Sequence, residues 1–190
     1  MTTTLVTGPV RSGKSRHAEH LLALHPAVLY VATGPQDGDD PEWSARVRAH
    51  RERRPPAWQT LETIEVAPAI VGADRAVLVD CLGTWLTRLV DTVGWDDLDA
   101  AAARVARGRA ELVDALRRAS HPVVVVTNEV GWSLVPTTAS GRFFADELGR
   151  LNAAVSSVAD RLHLVVAGRV VDLTNAPIVP PLPPPRTLDA

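Results

Sequence analysis

One stretch near the start constrains this chain more than any other: Thr4-Leu-Val-Thr-Gly-Pro-Val-Arg-Ser-Gly-Lys-Ser-Arg16. Gly8, Gly13, Lys14 and Ser15 fit the phosphate-binding pattern G-x-x-x-x-G-K-[ST]. Each fixed residue has a physical task. The two glycines let the backbone turn tightly and aim its N–H groups inward, where a Cβ would obstruct. Lys14 brings a mobile positive charge to the outer phosphates, and Ser15 offers a hydroxyl to Mg²⁺. A helix starting here adds the positive end of its dipole.

The flanks agree with the motif. Leu5-Val6 opens a short apolar run with strand character, and Arg16 to Leu24 is helical in composition and spacing. Together they make a strand–loop–helix unit that grips a nucleotide. Gly8, Pro9, Val10, Arg11, Ser12, Gly13, Lys14 and Ser15 are the expected phosphate-binding residues. Pro9 makes the loop stiffer and removes one backbone donor.

A chain of 190 residues can bury one good core. Its net charge of −2 argues against a nucleic-acid binder working through bulk positive potential. A single cysteine, Cys81, excludes an internal disulfide framework and a multi-cysteine zinc site. No N-terminal run resembles a signal peptide, and no apolar run is long enough for a membrane span. The expected location is the cytoplasm.

Further along, Ala27 to Thr33 reads as a second strand, apolar without alternation, as in a parallel sheet covered on both faces. Gly34 to Pro41 is a loop, Pro41 to about Arg53 a helix stopped by Pro55-Pro56, and Trp58 to Glu62 a short extended piece. Arg75 to Cys81 is a strand ending in a carboxylate. A broken helix over about Gly83 to Val93 precedes a long alanine-rich one from Asp96 to Ala119. Pro122 to Glu129 is a strand, Gly141 to Arg161 a helix, and Leu162 to Gly168 a strand with which a short one at Arg169 to Leu173 can pair. Strands and helices alternating at this spacing predict an α/β chain. The expected fold is a P-loop NTPase-type, mostly parallel sheet with helices on both faces. Residues 1–173 form the expected domain, and residues 174–190 a flexible proline-rich tail.

A second constellation lies in the helix from Pro41. Arg46, His50 and Arg54 stand at i, i+4 and i+8, so they share one face, with Arg53 on a neighbouring ridge. Surrounding positive charge disfavours imidazolium, so His50 is expected neutral and nucleophilic. The arginines suit a polyphosphate, whose α-phosphorus a neutral imidazole can attack with release of pyrophosphate. A solvated basic face with an idle histidine is the competing reading. Glu62 and Glu65 can orient the imidazole, bind a base or ribose, or simply be exposed acids. Asp80, at a strand end, stands where a P-loop site places its Mg²⁺-binding carboxylate. Thr127, Asn128 and Glu129 end the strand of valines at the carboxyl edge of the sheet, where ligands bind in open α/β folds. The remaining histidines, His17, His20, His25, His121 and His163, read as surface or packing residues.

The P-loop and an arginine-flanked histidine thirty-six residues after Lys14, with Val77-Leu-Val-Asp-Cys81, Val126-Thr-Asn-Glu-Val-Gly131 and Gly149-Arg-Leu-Asn152, make a specific pattern. It resembles the bifunctional adenosylcobinamide kinase/adenosylcobinamide-phosphate guanylyltransferase family of cobalamin biosynthesis over residues 4 to 172. The resemblance implies two reactions. A nucleoside triphosphate, ATP or GTP, phosphorylates adenosylcobinamide; GTP then guanylylates a histidine, which passes GMP to the new phosphate and yields adenosylcobinamide-GDP. It further implies catalytic roles for His50 and Lys14, and a guanine-nucleotide site at Ala32, Thr33, Gly34, Arg51, Glu52, Arg53, Arg54 and Glu62. Mg²⁺ on Ser15 and Asp80 and a trimeric homo-oligomer belong to the same expectation.

Two alternatives remain at this level. One is a monofunctional P-loop small-molecule kinase in which His50 and its arginines only cover the phosphates. The other is a GTP-dependent switch, which ordinarily carries an Asn-Lys-x-Asp base-reading motif that this chain lacks.

Overall fold

The computed structural model describes residues 2–34, 41–52, 54–132 and 134–179; for residues 41–43, 46, 49 and 50 it describes the backbone alone. Arg53 and residues 180–190 of the proline-rich tail therefore lie outside the described residues. The strands are β1 (Thr3–Thr7), β2 (Val28–Ala32), β3 (Gln59–Glu62), β4 (Ala76–Asp80), β5 (Val123–Val126), β6 (Arg161–Val166) and β7 (Arg169–Asp172). The helices are α1 (Lys14–Leu21), α2 (Pro41–Glu52), α3 (Val66–Val71), α4 (Leu82–Asp91), α5 (Leu98–Arg118) and α6 (Ala139–Ser156).

All seven strands join one sheet in the order β3-β2-β4-β5-β1-β6-β7. Every pairing is parallel except β6 with β7. The unbroken apolar runs follow from burial on both faces. Leu5, Val31, Val77, Val79, Val123 and Val125 face the side covered by α3, α4, α5 and α6. Val6, Val28, Tyr30, Leu78, Val124 and Val126 face α1. Each such Val or Leu withdrawn from water contributes about 1.5–3 kcal/mol. This period of two later decides which residues at the strand ends reach the site.

The helix ends depart from the spacing-based expectation for local reasons. Helix α6 stops at Ser156 rather than running to Arg161 because Asp160 is used elsewhere. Its backbone N–H donates to Thr3 O at 2.9 Å, and its carboxylate accepts from Thr3 N–H at 2.7 Å. Helix α2 ends at Glu52, so Arg54 is not on its face but in the turn after it. Helix α3 has no expected counterpart; it is six residues long, with Pro68 tolerated in its first turn. Past β7, Thr174 Oγ1 accepts from Leu162 N–H at 3.2 Å, so the chain stays tied to the sheet just beyond the last strand.

Strands β6 and β7 meet at a two-residue turn, Ala167 and Gly168, both with positive φ (51° and 74°). Gly168 N–H donates to Ser12 O at 3.1 Å, fixing the hairpin against the loop between β1 and α1. Nearby, His17 on α1 and His163 on β6 share a hydrogen bond, Nε2 to Nδ1 at 2.9 Å. Burial, then the charges of His163 and His20, hold His17 below the ordinary imidazole range. Folded chain thus binds fewer protons here than unfolded chain, so this contribution is present above about pH 6.5 and is lost as pH falls below it. The thermal midpoint is expected to drop between about pH 7.5 and about pH 5.5, and His17→Gln to shallow that drop. An unchanged pH slope in the variant would contradict the assignment.

Candidate functional site

Strand β1 delivers the chain into a loop whose geometry only glycine permits at two points. At Gly8 (φ 152°) a Cβ would run into the carbonyl oxygen of Val165. Gly13 (φ 99°) stands at the N-cap of α1 and has no side chain to cap it. The first N–H groups of α1 thus keep their capacity for an external anion. Lys14 is 6% exposed and donates from Nζ to Pro9 O at 3.2 Å. The same carbonyl accepts Ser12 N–H at 3.3 Å, so the lack of an N–H on Pro9 is joined to its use as an acceptor inside the loop. Ser12 Oγ is buried with no hydrogen-bond partner among the described residues.

Beside the loop is a cleft of about 290 Å³. Val10, Lys14 and Ser15 line it from the loop and α1, and Tyr30, Ala32 and Gly34 from the end of β2. Val47 and Arg51 of α2 and Arg54 after it face Thr60 and Glu62 of β3 across the same space. Asp80 and Cys81 close the floor at the end of β4.

The side chains here are held by one another. Arg51 Nη2 pairs with Glu62 Oε1 at 2.6 Å. Arg54 lies flat on Tyr30, its guanidinium carbon 3.3 Å from the ring centroid, and Nη1 donates to Thr60 Oγ1 at 3.0 Å. Its Nε is buried without a hydrogen-bond partner among the described residues. Tyr30 Oη donates to Asp80 Oδ2 at 2.7 Å. Burial and the neighbouring Asp80 push the Tyr30 phenol well above its usual range, against the opposing charge of Arg54. The phenol therefore stays a donor to the carboxylate it orients. Thr33, by contrast, is fully buried, accepting Cys81 N–H at 2.9 Å and bonding Cys81 O and Thr84 Oγ1 at 2.7 Å each. It braces the cleft from behind rather than lining it.

Of the expected site residues, the structure gathers Val10, Lys14, Ser15, Ala32, Gly34, Arg51, Arg54, Glu62 and Asp80 around one space. Gly8, Pro9, Arg11, Ser12 and Gly13 shape the loop without lining that space, and Glu52 points outward, exposed. His50 belongs to α2 by its backbone, and its side chain lies outside the described residues, as does all of Arg53. Residue-by-residue reading passed over Tyr30, Thr60, Thr84, Thr87, Val130 and Phe144, all of which line the cleft. Each looks like an ordinary core or helix residue in the sequence. No local signal marks them, because they come from the body of β2, β3, α4 and α6 and from the segment after β5, which only the fold brings together.

The run Thr127-Asn128-Glu129 divides by strand alternation. Asn128 lines the cleft on the α1 side of the sheet. Thr127 and Glu129 turn to the other side, where Asn152 of α6 collects them. Thr127 Oγ1 donates to Asn152 Oδ1 at 2.6 Å, and Glu129 Oε1 accepts from Thr7 Oγ1 at 2.7 Å. This network holds the roots of β1 and β5 together directly beneath the loop.

A parallel sheet whose first strand enters a glycine–lysine–serine loop at a helix N-terminus, facing a carboxylate at the end of β4, defines a P-loop nucleotide-handling protein. The fold agrees with that of a solved prototypical ATPase from the type III secretion system of pathogenic bacteria, with a TM-score of 0.52 at 11% identity over 86% of this chain and 50% of that one. Residues 4–173 match the family described as cobinamide kinase / cobinamide phosphate guanyltransferase (CobU), and the chain belongs to that family. It is 40% identical to the bifunctional adenosylcobalamin biosynthesis protein CobU of Salmonella typhimurium over 86% of this chain and 95% of that protein. It is 36% identical to the corresponding CobP of Pseudomonas aeruginosa, over 92% and 98% of the two chains.

Proposed function

We propose that this chain performs both reactions for which its family is named, adenosylcobinamide kinase and adenosylcobinamide-phosphate guanylyltransferase, and that one triphosphate site serves both. The observation that carries this reading is the shared cleft. The phosphate-loop residues Lys14 and Ser15 line the same space as Arg51, Arg54 and Glu62 from the α2–β3 side. A triphosphate held at its outer end by the loop has its inner phosphorus and base directed toward that arginine-bearing segment.

In the kinase step the substrate hydroxyl oxygen bonds to the γ-phosphorus. The bond to the β–γ bridging oxygen breaks, the nucleoside diphosphate leaves, and the hydroxyl proton passes to water. Lys14 and the loop N–H groups hold the charge that builds on the phosphate oxygens. In the second reaction a nitrogen of His50 bonds to the α-phosphorus of GTP and pyrophosphate leaves. A phosphate oxygen of adenosylcobinamide phosphate then displaces the imidazole, and the P–N bond breaks as the new P–O bond forms. Glu62 suits the N–H edge of a guanine, and Arg51, Arg53 and Arg54 suit the phosphates.

Ser15 and Asp80 fit a Mg²⁺ that travels with the nucleotide: a hydroxyl and an oriented carboxylate face one cleft. Among the described residues no group of three or more His, Cys, Asp or Glu side chains is arranged to hold a metal, so phosphate oxygens and water would complete the shell. Mg²⁺ neutralises charge on the transferring phosphate when bound. We further take residues 1–173 as one catalytic domain, residues 174–190 as an appended tail, a trimer of identical chains as the assembly, and the cytoplasm, where the triphosphates are, as the location. No helix among the described residues is long and apolar enough to cross a membrane.

Incubation with GTP labelled at the α-phosphorus tests the reading. Wild-type chain is expected to acquire an acid-labile, alkali-stable label with release of one pyrophosphate, and adenosylcobinamide phosphate to discharge it. Phosphorylation of adenosylcobinamide with no label on the protein would reduce the chain to a monofunctional kinase.

A further inference from the structure

The cleft is electrically divided. Its α2–β3 side and the phosphate loop carry Lys14, Arg51, Arg54 and Glu62, with Asp80 on the floor at the end of β4. The opposite side, formed by the start of α4, the end of β5 and the first turns of α6, presents Cys81, Thr84, Thr87, Asn128, Val130 and Phe144. Among the described residues lining that side, none carries a charge. Arg88 of α4 and Arg142 of α6 donate to backbone carbonyls: Arg88 Nη1 to Thr33 O at 3.2 Å, and Arg142 Nη1 to Pro136 O and Thr137 O at 3.0 and 2.9 Å. A polyanion placed here would lose its hydration without gaining a cation. A neutral chain of amides ending in a hydroxyl would meet hydroxyl and amide partners on an apolar floor.

Asn128 stands where the two halves join. Strand β5 lies between β4 and β1 in the sheet, so Asn128 sits between Asp80 and the phosphate loop. Its orientation is set from two directions. Cys81 Sγ–H donates to Asn128 Oδ1 at 3.3 Å, and Asn152 Nδ2 donates to Asn128 O at 3.0 Å. Gly83 makes room for this side chain, since a Cβ there would come within 2.8 Å of Oδ1. With Oδ1 taken, the NH₂ end of Asn128 has no partner among the described residues and is the end left for the cleft. Beyond Val130, which lines the cleft, the chain exposes the apolar side chains of Trp132, Leu134 and Val135 (63%, 93% and 78%), an apolar apron that follows it in sequence.

We propose that this neutral side is the acceptor subsite, which takes the amide-linked, hydroxyl-ended arm of the cobinamide while the apron meets its flat macrocycle. Asn128 is there a catalytic residue whose NH₂ donates to the phosphoryl group in transit. Cys81 is a positioning residue acting through Asn128. The proposal rests on the kinase reading above and adds where the second substrate lies.

The two half-reactions separate the tests, because guanylylation from GTP needs no corrinoid. Phe144→Ala and, independently, the surface change Trp132→Ala are expected to raise KM for adenosylcobinamide about tenfold. The KM for the triphosphate and the extent of α-phosphate labelling should stay within about twofold of wild type. Asn128→Ala is expected to lower kinase kcat roughly 10²-fold at unchanged triphosphate KM. Cys81→Ala should lose a smaller part of kcat, and Cys81→Ser, which keeps an O–H donor, should regain it. Triphosphate KM rising in step with corrinoid KM would assign this side to the nucleotide. Corrinoid KM unchanged in both apolar variants would overturn the subsite, whether the apron proved to be a contact between copies of the chain or idle surface. Wild-type chain that takes no label but phosphorylates adenosylcobinamide would refute the guanylyl step alone and leave the kinase arms decisive.

Discussion

Lys14→Ala is expected to depress both reactions, kinase and guanylyl transfer, by roughly 10³-fold or more in kcat/KM. The side chain sits at the first residue of α1, 6% exposed, with its ammonium 3.2 Å from the Pro9 carbonyl. Truncation withdraws the one cation of the loop's own lysine position while Pro9 O keeps the Ser12 N–H. The loop should therefore remain folded, and thermal stability change little. Lys14→Arg should not restore activity, because a planar guanidinium does not occupy the volume of an ammonium at so enclosed a position. Steady-state kinetics for each half-reaction, with direct titration of GTP binding, check this. A variant that still binds GTP like wild type, or keeps either reaction within tenfold, would show that the loop does not anchor the triphosphate.

The second large effect concerns His50 and discriminates between the two transfers. His50→Ala is expected to abolish labelling by GTP carrying a labelled α-phosphate, because no imidazole remains to form the P–N bond. Kinase turnover should persist within a few-fold, so that adenosylcobinamide phosphate accumulates. The physical basis is the position of α2: Arg51 belongs to the same helix and lines the cleft with Arg54, which follows it. Product analysis by chromatography reads both outcomes at once. Full labelling of the variant would move the nucleophile elsewhere, and loss of both activities would make the segment a phosphate-binding element for the kinase step as well.

Legibility followed the range of the interactions involved. The loop from Gly8 to Ser15 was readable because its chemistry is local: two glycines for backbone angles, a lysine for charge, a hydroxyl for Mg²⁺. Strands β2, β4 and β5 were readable because burial on both faces writes itself as unbroken valine and leucine runs. Helix α3 escaped because six residues with an internal proline carry too little periodicity. Arg54 was placed on a helical face by counting, whereas Pro55 and Pro56 end the helix earlier. The guanidinium found the Tyr30 ring instead, a partner from a strand more than twenty positions away in the chain.

The amino-acid order by itself determined the phosphate loop, the α-covered parallel sheet and the family pattern, since each is encoded in contiguous residues or in a fixed period. Only the tertiary structure decided that Asn128 faces the cleft while Glu129 turns to Thr7 and Asn152, and that Cys81 orients Asn128. The reason is that the strand order β4-β5-β1 brings together ends that lie far apart along the chain. No local spacing records which strand becomes whose neighbour.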